Sequence, residues 1–167
     1  MTSGNLRGNY AIPIEWILPL CYNHLMNNKL TAKSEITIHA PAAKVWDALT
    51  NPKLIKLYFF GTETKTTWKV GSPVTFKGKW EGKTYTDKGH ILQNERNKVL
   101  QYTHWSSLSG IPDAPENYHK VTFRVYPGKG KTVLSVSQSD LANEEARVDS
   151  RKTWAMVLGS VKKLLEK

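Results

Sequence analysis

From Gly61 to about residue 138 the chain keeps a two-residue period, and from Glu144 it switches to a spacing of three and four; that one switch constrains the fold most. Val74, Phe76, Gly78 and Trp80 alternate with Thr75, Lys77 and Lys79, and Glu81-Gly82 follows as a hairpin step. Tyr85 to Leu92, Val99 to Trp105, Lys120 to Tyr126 and Thr132 to Gln138 repeat the pattern. Such runs predict an antiparallel meander with one wet face and one covered face. The cover is a single helix over about residues 144–166, because Trp154, Val157, Leu158, Val161, Leu164 and Leu165 form one apolar stripe. Glu144 and Glu145 at its start and Lys162, Lys163 and Lys167 at its end suit the helix dipole.

Upstream, Ile36 and Ile38 alternate with Glu35, Thr37 and His39 and predict a first strand from Lys33. Pro41 opens a helix carrying Val45, Trp46 and Leu49, and Asn51-Pro52 ends it and starts a second short one with Leu54, Ile55 and Leu57. The expected class is α+β, with one domain at 33–167 and an N-terminal extension at 1–32. Two readings of the extension stand side by side. It packs on the domain through Trp16, Ile17, Leu18, Leu20 and Leu25, or it is weakly ordered, with Met26 as a natural start.

Six Trp, seven Tyr and four Phe are too much bulky apolar material for a disordered chain. Cys21 is the single cysteine, so no internal disulfide framework and no four-cysteine zinc site can form, and a cytoplasmic location is expected. Pro13, Glu15 and Pro19 interrupt the most apolar window, which excludes a membrane-spanning helix there. Glu15 and the large Leu20 before Cys21 argue against a cleaved leader or lipid anchor. Gly128-Lys129-Gly130-Lys131 reads as a hairpin turn and opens no phosphate-binding helix. His24, His39, His90, His104 and His119 lack paired ligand spacing, and no Gly-x-Ser-x-Gly elbow occurs, so neither a metal nor a cofactor is expected.

The strand, two short helices, antiparallel meander and long final helix form the helix-grip arrangement. Ile36-Thr37-Ile38-His39-Ala40-Pro41-Ala42-Ala43-Lys44-Val45-Trp46-Asp47-Ala48-Leu49-Thr50 resembles the opening of the SRPBCC superfamily, which includes START domains and birch-pollen allergens. Val70-Gly71, Phe76, Gly82, Gly89, Leu100 with Trp105, and the Trp154 to Leu165 helix resemble the family of homologues of the activator of the 90-kDa heat-shock-protein ATPase. Ser72 and Thr153 depart from that family's common glycines. The resemblance covers about residues 33–167 and implies a curved six- or seven-stranded sheet wrapped on the last helix. It also implies a small hydrophobic or aromatic ligand held between them, and in a minority of members a cyclase, dehydratase or hydrolase activity.

On that plan the inward side chains expected to line a ligand cavity are Phe76, Trp80, Tyr85, Leu100, Tyr102, His104, Phe123, Val136, Trp154 and Leu158. The plainer reading is that these side chains simply fill a core. His104 and Asp87 are the candidates for acid–base catalysis, against a solvated His104 at a strand end and an Asp87 turned outward by a one-residue slip. Net charge is +10, and Lys65, Lys69, Lys77, Lys79, Lys83 and Lys88 fall on or near the wet face, where a chaperone or other acidic protein could dock. Lysine far outnumbers arginine and no basic arm exists, which disfavours nucleic acid. A monomer or weak dimer is expected.

Overall fold

A computed structural model describes residues 29–167. The expectations for residues 1–28, including Met26 and Cys21, lie outside the described residues. Strand β1 spans Leu30–Ile38, helices α1 and α2 span Ala42–Thr50 and Pro52–Tyr58, and a short β2 spans Glu63–Lys65. Then come β3 (Pro73–Trp80), β4 (Lys83–Glu95), β5 (Val99–Ser106), β6 (His119–Gly128), β7 (Lys131–Leu141) and the helix α3 (Glu144–Leu165). All seven strands join one antiparallel sheet in the order β1-β7-β6-β5-β4-β3-β2. This is the helix-grip architecture. Several strands are longer than the sequence runs: β1 starts at Leu30, β4 extends past Leu92 to Glu95, β6 starts at His119, and β7 reaches Leu141.

Local chemistry explains the element ends. Pro41 stands extended at the start of α1, where its missing N–H costs nothing. Asn51 ends α1, and its side chain accepts the N–H of Lys53 at 3.1 Å, so the same residue caps α2 just before Pro52. Asn143 caps α3 by accepting from the N–H of Ala146 at 2.8 Å.

Two glycines set how the strands lie. A Cβ on Gly89 would sit 1.6 Å from the Thr103 carbonyl oxygen, so β4 reaches β5 only without a side chain there. Gly78 is covered by the Tyr85 ring, whose hydroxyl continues over β3 to Thr62 Oγ1 at 2.6 Å. Helix α3 lies chiefly against β1, with Val157, Leu158 and Val161 buried. The strands β3 to β6 therefore run out beyond the helix and leave a mouth between sheet and α3.

Candidate functional site

The deep part of the grip is filled. Leu49, Ile55, Tyr58, Phe123 and Val157 surround a void of only about 20 Å³, room for about one water. Open space lies at the mouth, where a cleft of about 340 Å³ runs between β4, β5, β6 and β7 on one side and α3 on the other. Its apolar walls are Phe59, Phe76, Tyr102 and Trp154. Trp154 stacks on Phe59 (6.3 Å between ring centres) and meets Phe123 edge-on at 5.4 Å, while Phe76 packs against Tyr102 at 5.5 Å. Offset and edge-on contacts of this kind hold the rings as a continuous lining. Burial pushes the hydroxyl of Tyr102 well above the ordinary phenol range, so it stays protonated.

The polar groups are concentrated on β4 to β7. His104 Nε2 lies 3.1 Å from Asp87 Oδ2, and Ser106 donates its hydroxyl to Asp87 Oδ1 at 2.6 Å. Asp87 faces inward because it registers with Phe76 on one side and Ser106 on the other. The outward slip and the fully solvated histidine are thus both corrected: the side chains are 15% and 24% exposed and bonded to each other. Gln138 Oε1 accepts from Ser150 Oγ at 2.9 Å and from Trp154 Nε1 at 2.8 Å, which ties α3 to β7 along the cleft.

His119 is the residue that sequence reasoning missed. It sits directly across from His104 in the β5–β6 register and lines the same cleft. Its Nδ1 lies 3.1 Å from the Asp140 carbonyl oxygen. A carbonyl only accepts, so Nδ1 carries the hydrogen and Nε2 of the neutral ring is an acceptor. Burial, reinforced by His104, pulls this histidine below the ordinary imidazole value despite the opposing pull of the Asp140 carbonyl. Starting β6 at Lys120 hid the residue. The hairpin relation that pairs Tyr102 with Val121 would have found it.

Other expected lining residues are distributed unevenly. A second cleft, of about 280 Å³, adjoins the first across Phe59, Asp87 and Thr153 and takes in Trp80 and Tyr85. Trp80 is not inside the grip: it is 44% exposed, because β3 outruns the core there and its ring packs edge-on against Phe60. The Tyr85 hydroxyl is engaged by Thr62. Leu100 and Phe123 border the small deep void, and Val136 and Leu158 are buried core beyond either cleft. Among the described residues, no group of three or more His, Cys, Asp or Glu could hold a metal ion.

On the opposite face of the sheet, the strand registers place Lys65, Lys77, Lys79 and Lys88 together. Lys88 is engaged there by an ion pair with Asp113 and lies over the Trp105 ring. Lys83 is a correction to the expected patch, since it registers with Trp80 and stands on the helix side of the hairpin end. Lys69 falls in the loop between β2 and β3. No described helix is long and apolar enough to cross a membrane.

Comparison with known proteins agrees with this architecture. ChR145 from Cytophaga hutchinsonii, a solution structure, is 44% identical, with a TM-score of 0.72 over 83% of this chain and 94% of that one. MLL2253 from Mesorhizobium loti is 26% identical, with a TM-score of 0.68 over 82% of this chain and 97% of that one. The Aha1 dimer from Colwellia psychrerythraea shares the fold at 20% identity, with a TM-score of 0.66 over 82% of this chain and 96% of that one. No curated protein matches the chain. A family model described as activator of Hsp90 ATPase homolog 1-like protein matches residues 39–166, and with the helix-grip sheet in place the chain belongs to that family, within the SRPBCC superfamily.

Proposed function

We propose that this protein is a cytoplasmic binder of a small hydrophobic or aromatic molecule, held in the cleft between the sheet and α3. The observation that carries the reading is the contrast between a filled deep core and an open, aromatic-walled cleft at the mouth. Binding draws on apolar burial, at about 25 cal/mol per Å², while Asp87, His104, His119 and Gln138 supply orientation. Concave, mostly apolar sites with a few placed polar groups are the usual form of small-molecule sites.

A second reading, an enzyme of the cyclase or hydrolase type, is favoured by one observation: Ser106, Asp87 and His104 form a hydrogen-bonded row ending in the cleft. With Nε2 donating to the carboxylate, neutral His104 keeps Nδ1 as a proton acceptor, which is the requirement for a general base. A docking role for the basic outer face, towards a chaperone or other acidic protein, rests on Lys65, Lys77 and Lys79.

Native mass spectrometry of freshly purified protein, followed by NMR shift mapping with apolar and aromatic compounds, tests the main reading. Saturable shifts at Phe76, Tyr102 and Trp154 are expected. Shifts confined to the basic outer face would overturn it and support the docking role.

A further inference from the structure

We infer that the cleft selects an uncharged aromatic compound bearing a hydroxyl group, with that O–H donated to Nε2 of His119. The inference rests on the ligand-binding reading and names its substrate class. Three independent features lead to it.

The first is a fixed acceptor. Asp140 has φ of 67°, a left-handed conformation that Asp tolerates better than most residues, at an irregularity near the end of β7 where its carbonyl accepts from His119 Nδ1. The Asp140 carboxylate is itself anchored, by Ser139 Oγ at 2.8 Å and by Lys29 Nζ at 3.9 Å. The histidine tautomer is thereby set by the backbone, leaving Nε2 to accept from a guest.

The second is charge. The protein carries +10, yet among the described residues neither cleft is lined by a Lys or Arg. Asp87 is the charged group at their junction, and the His104 Nε2–H that could meet an anion is already given to it. A carboxylate or phosphate guest would lose water without gaining a partner of opposite charge, which costs more than a neutral group does. The third is shape, since the walls offered by Phe59, Phe76 and Trp154 are planar rings. A flat aromatic body matches them.

The test titrates the full chain, near pH 7.5 so that ordinary histidines are neutral, with three probes: naphthol, its methyl ether and naphthoate, all substituted at the same ring position. Binding is read from NMR shifts of Trp154 and its cleft neighbours. Naphthol is expected to bind roughly five- to tenfold more tightly than the ether, the gain of one neutral hydrogen bond, with naphthoate weakest. In His119→Phe, naphthol and the ether should bind alike. If that variant fails to fold, the three-probe ranking on the native chain still decides. Equal binding of naphthol and ether to the native protein, or naphthoate binding tightest, overturns the hydroxyl assignment while leaving the cleft as a ligand site. If no probe moves Phe76, Tyr102 or Trp154, the ligand-binding reading itself fails and takes this inference with it.

Discussion

His104 and His119 stand opposite one another across β5 and β6, yet each imidazole is held by a different partner: the Asp87 carboxylate for one, the Asp140 carbonyl for the other. When both rings are neutral, they therefore keep opposite nitrogens as acceptors, Nδ1 in His104 and Nε2 in His119. A pair of like residues in register has been made chemically unlike by what stands behind each.

This difference gives a pH dependence with a definite sign. Burial holds the folded His119 below the ordinary value near 6.5, so below that pH the unfolded chain binds more protons at this residue than the folded one. Its contribution is present above about pH 6.5 and is lost as pH falls below it. Urea melts of native protein and His119→Gln, compared between about pH 7.5 and pH 5.5, should converge as the pH is lowered. A constant stability difference across that range would contradict the assignment.

Removing the Asp87 carboxylate strands two donors at once. Asp87→Ala should lower stability by about 1–3 kcal/mol, because Ser106 Oγ and His104 Nε2 both lose their acceptor in a mostly buried position. Chemical denaturation with an unchanged m-value would register the loss as one of stability alone.

Gln138 connects the helix to the sheet through one oxygen. Gln138→Leu leaves the indole N–H of Trp154 and the hydroxyl of Ser150 without that acceptor, at an expected cost of about 1–3 kcal/mol. Trp154 NMR signals should shift and broaden more than those of Trp46, which is buried on α1. Equal responses from the two indoles would refute a local anchor.

Two glycine-to-alanine changes should have opposite signs. At Gly89 the new methyl meets the Thr103 carbonyl oxygen at 1.6 Å, so the strands must part, and a loss above about 3 kcal/mol or insoluble expression is expected. At Gly159, within α3, nothing lies within 4 Å of the new methyl, and the change should stabilise by about 0.5–1 kcal/mol. Thermal melts of both proteins settle the contrast.

The layers of this fold were legible because period alone separates strand from helix, and Ile36 to Ile38, Val74 to Trp80 and Trp154 to Leu165 each carry a clean one. What period cannot report is where an alternation leaves the core. Trp80 continues the inward phase of Phe76 and Gly78 but lies past the end of the packed interior, so its ring turns to Phe60. The cleft chemistry was half readable for a related reason. Asp87 and His104 were visible as isolated polar residues on covered faces, whereas His119 acquires its meaning from a cross-strand partner and a carbonyl 21 residues away. Phe59 and Gln138 depend likewise on long-range contacts with α3.

The filled interior has a kinetic consequence. Since the open volume lies at the rim and the seam between sheet and α3 is already packed, no layer within residues 29–167 has to separate for a guest to enter or leave. On the ligand-binding reading, exchange from this cleft would require no parting of the described layers, and occupancy would track the surrounding concentration.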